Sequence, residues 1–327
     1  MELTDARVLV TGGGGFVGSR LADRLVADGN DVVVVDDFSN GRREWIPEGV
    51  ELVDADLSES GVADSVVDPS FDAIAHLAAR KDPNDDDPRG QFVENTTMTH
   101  ELLRAARDAG VTNVAYTSSS TVYGEAPRPT PEDYAPLEPI SVYGAAKLAD
   151  EGLLSTYAHS HGFTVWNFRF ANVVGPRLRG AVIPDFIEKL RDDPETLTIL
   201  GDGRQEKSYL HVDDCVDAMC HVVESAGTVS AGDEAPRDEA SNGESAMYTY
   251  NLGSRTTTSV DRIADIVSDV LDLTPEYEHT GGDRGWTGDV PRMRLSIEKL
   301  SSLGWDPTLE SDDAVRRAAE ELREEIR

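Results

Sequence analysis

Tyr143 and Lys147 are the residues of this chain best suited to move a proton. They lie four apart in Tyr143-Gly144-Ala145-Ala146-Lys147, and on a helix that spacing puts both side chains on one face. A free phenol, with a pKa of about 10, is a poor base at neutral pH. An ammonium beside it favours the phenolate and is expected to lower that pKa. Such a pair can take a proton from a hydroxyl or return one. Upstream, Thr117-Ser118-Ser119-Ser120-Thr121 forms a hydroxyl cluster after a strand-like run. A hydroxyl there can hold a substrate oxygen and share its proton with Tyr143. The plainer reading is a serine-rich turn.

A second group of residues suits phosphate. Val8-Leu9-Val10-Thr11 runs into Gly12-Gly13-Gly14-Gly15, and Phe16, Val17, Leu21 and Leu25 follow at helical spacing. Gly12 permits a tight turn after the strand. Gly15 lets backbone N–H groups approach phosphate oxygens, and Gly18 lets the helix pack closely on the strand. The helix N-terminus adds unpaired donors and a partial positive charge. The run Val32-Val33-Val34-Val35 ends in Asp36, at the place where a carboxylate accepts hydrogen bonds from the adenosine ribose. The expected ligand is a dinucleotide. Asp36 would repel a 2′-phosphate, which favours NAD, and Arg42 and Arg43 read as solvated loop charges.

These groups need a rigid frame. Strand-like runs at 7–11, 32–36, 50–54, 71–77, 111–118 and 163–170 alternate with helical patterns at 16–28, 90–109 and 142–160. Alternation of this kind predicts an α/β fold, a doubly wound parallel sheet with helices on both faces. After Asn172 the rhythm changes. Helices at 181–191, 211–224 and 259–271, with strands near 197–200 and 248–252, predict a smaller mixed α/β lobe. The expected division is a dinucleotide-binding domain over 1–172 and a substrate lobe over 173–327, with the chain free to cross between them. Segment 225–246, rich in Ser, Gly, Ala, Asp and Glu, reads as a mobile insertion.

The glycines fall at three-residue steps rather than in the commoner dehydrogenase rhythm. In Thr11-Gly12-Gly13-Gly14-Gly15-Phe16-Val17-Gly18-Ser19 the chain resembles the extended short-chain dehydrogenase/reductases, in the NAD-dependent nucleotide-sugar epimerase/dehydratase branch. The resemblance continues through Asp56-Leu57, His76-Leu77-Ala78-Ala79, Asn95, the Tyr143–Lys147 pair and Arg169 to Arg177. It resumes in Gly201-Asp202-Gly203-Arg204-Gln205, Lys207 to Asp214, Gly288-Asp289-Val290 and Gly304-Trp305.

The resemblance implies site residues. Ser119 would be the catalytic hydroxyl beside Tyr143 and Lys147. Cofactor contacts would come from Gly12, Gly15, Phe16, Val17, Gly18, Asp36, Asp37, Asn40, Asp56, Leu57, Leu77, Ala78, Ala79, Asn95 and Ser118, with Tyr143 and Lys147. A nucleotide-diphospho-sugar would meet Ser120, Asn172, Arg204, Lys207, Arg284 and Asp289. The implied reaction is epimerisation at C4 through a 4-keto sugar, with NAD regenerated in place. Sister dehydratases carry Asp-Glu where Ser120 and Thr121 stand here, which ranks dehydration lower. A one-way NAD-dependent sugar dehydrogenase and a non-catalytic nucleotide sensor are the alternatives. Lys207 and Ser208 depart from the family's Arg and Asp, and the spacing around Arg284 is unusual. The helices at 90–109 and 142–160 are those that build a homodimer in the family.

Composition narrows the setting. The chain has 327 residues, 39% of them hydrophobic, enough for a well-buried core. No apolar stretch approaches a membrane span, and the chain opens almost directly on a strand, so no targeting segment is expected. Cys215 and Cys220 suit no disulfide framework, and a reducing cytoplasm is the simplest setting. The seven histidines offer no metal spacing, since His159 and His161 cannot share a helix face. Acids number 62 against 30 basic residues, a net charge of −32. Only 5 of the basic residues are lysines. Such a surface repels nucleic acid and anionic membranes. The acids are scattered along the whole chain, as on a surface adapted to a salt-rich cytoplasm. Salt screens their mutual repulsion over a few ångströms. Thermal melting is therefore expected to shift upward between low and multimolar potassium chloride; a midpoint that stays put would count against a halophilic surface.

Overall fold

A computed structural model describes residues 1–81, 87–225, 246–285 and 288–326. Most of the 225–246 segment, expected to be an insertion, lies outside the described residues. The strands in chain order are β1 (Arg7–Thr11), β2 (Asp31–Asp36), β3 (Glu51–Asp54), β4 (Ala73–His76), β5 (Asn113–Ser119), β6 (Thr164–Phe170) and β7 (Asn172–Val174), then β8 (Thr196–Ile199), β9 (Glu206–Lys207), β10 (Tyr209–His211) and β11 (Ala246–Leu252), and last β12 (Thr258–Ser259), β13 (Glu276–His279) and β14 (Arg292–Met293). The helices are α1 (Phe16–Ala27), α2 (Val62–Val66), α3 (Pro88–Ala109), α4 (Val142–His161) and α5 (Val182–Asp192), then α6 (Val212–Ser225), α7 (Val260–Leu271), α8 (Glu298–Ser301) and α9 (Ser311–Glu325).

Seven strands form the main sheet in the order β11-β6-β5-β4-β1-β2-β3. Strand β1 pairs in parallel with β2 on one side and β4 on the other. The strand order reverses between β1 and β4, the point at which open α/β sheets leave a crevice beyond their carboxyl ends. This is the Rossmann-like arrangement the alternation predicts. Helices cover the sheet, so β2 reads as a run of valines with both faces buried. Leu9, Val33, Ile74 and Val114 of the sheet pack with Leu102 and Leu103 of α3 and with Leu154 of α4. Helix α3 starts where Asp87 accepts a hydrogen bond from the Gly90 N–H, with Pro88 in its first turn, and stops at left-handed Gly110.

The chain forms two compact units and passes between them repeatedly. The first comprises Met1–Ser119, Val142–Arg169 and Val216–Tyr250; the second comprises Ser120–Ser141, Phe170–Cys215 and Asn251–Arg327. Most of α6 and β11 therefore belong with the main sheet, although both were expected in the smaller lobe. Neither element reveals its sheet from local pattern, because partnership is set by long-range pairing. The second unit holds the two-stranded pairs β7–β10 and β8–β13, the three-stranded sheet β12-β9-β14, and helices α5, α7 and α9 packed on one another. Helix α9 has no counterpart among the expected helices. Its buried stripe is mostly alanine set among charges, Ala314, Val315, Ala318, Ala319 and Leu322, so its apolar periodicity is faint. Among the described residues no helix is long and apolar enough to cross a membrane.

The β1–α1 turn leaves no room for side chains. A Cβ at Gly18 would lie 2.1 Å from the Gly12 carbonyl oxygen and 2.9 Å from the Gly13 Cα. Replacing Gly18 with alanine is expected to cost about 1–3 kcal/mol of stability through overpacking. Urea unfolding reads this directly, and an unshifted midpoint would contradict the close approach.

Candidate active site

The first unit presents a cradle at the end of β1. Gly12 takes a left-handed φ of +68°, and a Cβ there would come within 2.6 Å of the Ala78 N–H nitrogen. The turn after β1 is thus pressed against the segment after β4, where Leu77, Ala78 and Ala79 are half-buried. The Leu77 N–H donates to the Thr11 carbonyl at 3.1 Å. Helix α1 begins after Gly15 with no side-chain cap and no acid in its first turn, and Phe16 and Val17 there are half-buried. Its end is left to an anion.

Asp36 closes the cradle from β2. Its two carboxylate oxygens accept from the Gly14 and Phe38 N–H groups, each at 2.8 Å. Each oxygen keeps a lone pair for a further donor. Burial raises its pKa above the ordinary carboxylate value, and the two backbone donors oppose that. Asp37 is exposed and accepts from Ser39, and Asn40 is exposed beyond it. The nearby arginines are occupied. Arg43 pairs with Asp54 and lies over the Phe38 ring, while Arg42 pairs with Glu44 and lies over Trp45. Asp56 accepts from the Ser58 N–H, and Leu57 is a core residue.

Helix α4 carries Tyr143 and Lys147 on one face. Lys147 is 2% exposed and donates to the Thr117 carbonyl at 2.7 Å. Its ammonium lies 5.8 Å from the Tyr143 ring centroid and 4.5 Å from that of Tyr116. Lys81 brings a second ammonium 5.8 Å from the Tyr143 ring. The structure reverses one expectation here. Burial, and then the Asp150 carboxylate, raise the Tyr143 phenol above its ordinary value. Stripping the phenol of water disfavours its anion more than a lysine whose ring-centroid distance is 5.8 Å favours it. Burial pulls Lys147 itself down to about 8, while Asp150 and Glu151 pull the other way.

Other expected residues serve as supports. The Ser118 hydroxyl is buried and donates to Glu151 at 2.6 Å. Glu151 also takes a bidentate pair of hydrogen bonds from Arg169, at 2.9 and 2.6 Å. Asn95 spends its amide on the Arg80 backbone, accepting at 2.8 Å and donating at 2.9 Å, which pins the segment after β4. His76 is buried between the Thr11 and Thr99 hydroxyls, and burial holds its pKa down at about 3, so the ring is neutral. Ser119 is half-buried at the end of β5.

The second unit holds the residues expected to meet the substrate. Ser120 is buried in a short 3-10 turn. The Asn172 side-chain nitrogen is buried and finds no hydrogen-bond partner among the described residues. Lys207 pairs with buried Asp289 at 2.5 Å, and Asp289 also accepts from the Gly285 N–H at 3.1 Å. Arg284 is held by Glu125 and by the Asp289 carbonyl. Arg204 differs: it is exposed, and no acid pairs with its guanidinium among the described residues.

Residues 8–234 match the model of the NAD-dependent epimerase/dehydratase family, which covers most of the chain. The chain belongs to that family. It is 33% identical to a UDP-glucose 4-epimerase of Mycolicibacterium smegmatis, over 97% of this chain and 98% of that one. A crystal structure of a UDP-galactose 4-epimerase superposes with a TM-score of 0.86 at 41% identity, covering 98% of this chain and all of the other. A Thermus thermophilus UDP-glucose 4-epimerase in complex with NAD gives 0.81 at 29% identity, covering 97% and 99%.

NAD, the family's cofactor, fits the residues present. The close-packed glycine turn, the uncapped α1 and the spare lone pairs of Asp36 suit a pyrophosphate and a ribose diol. Sequence reasoning passed over Lys81, Tyr116, Asp150 and Glu151 as functional residues. Asp150 and Glu151 were visible at i+3 and i+4 from Lys147, but acids are so common in this chain that the spacing stood out little. Breaking the buried Glu151–Arg169 pair, both side chains 7% exposed, is expected to be severe. Glu151→Gln should cost about 3–5 kcal/mol in chemical denaturation, because it strands a guanidinium; a loss under about 1 kcal/mol would contradict this.

Proposed function

We propose that the protein interconverts the C4 epimers of a nucleotide-diphospho-sugar, of the UDP-glucose and UDP-galactose type. The observation that carries this reading is the Tyr143 ring with two ammonium groups, Lys147 and Lys81, each 5.8 Å from its centroid, at the carboxyl side of a dinucleotide fold. The relatives' names support the choice of substrate class. When bound, NAD supplies hydride acceptance and return at C4, through a 4-keto sugar. Tyr143 takes the proton from the C4 hydroxyl and gives it back when the other face of the sugar is presented. Ser119 holds the same oxygen. The Lys147 and Lys81 ammonium groups, each 5.8 Å from the Tyr143 ring centroid, act against burial and Asp150, which raise the phenol.

The first unit is assigned to the cofactor and the second to the nucleotide sugar, with Asn172 and Arg204 as the contacts whose polar groups are unspent. Lys207, Arg284 and Asp289 then form a tethered group whose charges are shared internally before any diphosphate arrives. Exposed Phe92 and Val93 of α3 and Val142 of α4 suit a homodimer built on those helices. A salt-rich cytoplasm is the proposed setting, in keeping with the net charge of −32.

In high salt, UDP-glucose and UDP-galactose should interconvert with no net NADH absorbance. Stoichiometric NADH would make the protein a dehydrogenase. Tyr143→Phe should lower turnover by about 10²- to 10⁴-fold, while unchanged turnover would remove the phenol from the chemistry.

A further inference from the structure

Asp150 touches no substrate or cofactor in the mechanism above, yet it is among the most deeply buried acids of the described residues, at 1% exposure. It lies three residues beyond Lys147 on α4, on the same side of the helix. The Tyr116 hydroxyl donates to its Oδ2 at 2.7 Å, and its Oδ1 finds no hydrogen-bond partner among the described residues. The face of the same Tyr116 ring lies 4.5 Å from the Lys147 ammonium. One aromatic side chain of β5 thus touches the cation with its ring and the acid with its hydroxyl. The neighbouring acid, Glu151, is spent on Arg169 and Ser118.

We propose that Asp150 is the counter-ion of Lys147, a positioning residue whose charge keeps that lysine an ammonium beneath the Tyr143 phenol. The part that concerns turnover rests on the epimerase reading; the electrostatic coupling of Asp150 to Lys147, which meet across Tyr116, does not. Every other charged or titratable neighbour argues for the need. His76 of β4 is neutral, Lys81 after β4 repels the ammonium, and Glu151 is already matched by Arg169 of β6. Tyr116 of β5 and Tyr143 of α4 are both raised toward the neutral phenol. Burial drives Lys147 toward the free amine, and Asp150 is the strongest force against it. A buried ammonium without a counter-charge sheds its proton.

The test uses the small number of lysines, 5 in the chain. The protein is labelled with ¹³C at lysine Cε and titrated by NMR, with Lys147→Arg assigning the resonance. In the unmodified protein that resonance should titrate near pH 8 and show a smaller inflection near 6, where Asp150 takes up its proton. Asp150→Asn keeps the shape and the acceptor for Tyr116 but removes the charge. It should lower the Lys147 midpoint by about one pH unit, a tenfold loss of proton affinity. Asp150→Glu should hold the midpoint near that of the unmodified protein. A midpoint that Asp150→Asn leaves in place or raises would overturn the proposal, as would the absence of the inflection near 6. The alkaline limb of kcat/KM for UDP-glucose should move down with the same variant. A moved midpoint in a protein that turns over no sugar would sink the epimerase reading and leave the counter-ion standing.

Discussion

Burying the Lys147 side chain strips an ammonium of water, and the carboxyl end of the main sheet is organised around that cost. The Thr117 carbonyl accepts from the ammonium, the Tyr116 ring lies against it, and two acids follow within one helical turn. One of those acids is bound to Arg169, which ties α4 to β6. The result is a lysine whose position is set from three elements. Tyr143 shares its helix face one turn earlier, so fixing Lys147 fixes the setting of the phenol.

Opposing electrostatic influences meet at that phenol. Burial and Asp150 favour the neutral form, while the Lys81 and Lys147 ammonium groups, 5.8 Å from the ring centroid, are placed to favour the anion. A phenol balanced in this way can accept a proton and release it again, which a reversible exchange at one carbon requires. A nearly free phenolate would be a weak acid for the return step.

Much of this was legible in the chain. The valine run of β2, the glycine turn and the Asp36 terminus point directly to a sheet and its ligand, because strand period and backbone crowding are local properties. The pair Tyr143 and Lys147 was legible for the same reason, since four residues make one turn. What escaped was long-range. The place of β11 at the edge of the main sheet depends on pairing with β6, which ends at Phe170 while β11 begins only at Ala246. The direction of the Tyr143 shift depends on how deeply the fold buries the phenol and on the nearby Asp150, neither of which local spacing shows. The pairing of Lys207 with Asp289 was hidden likewise, since its partners are distant in sequence and acids abound.

Epimerisation at C4 needs a hydride that leaves the sugar and comes back to the same carbon, with the proton held nearby. UDP-galactose deuterated at C4 reports on this within one turnover. The account predicts that the UDP-glucose formed keeps the deuterium at C4, with none passing to solvent or to added NAD. Deuterium appearing in water, or in the added coenzyme, would contradict it.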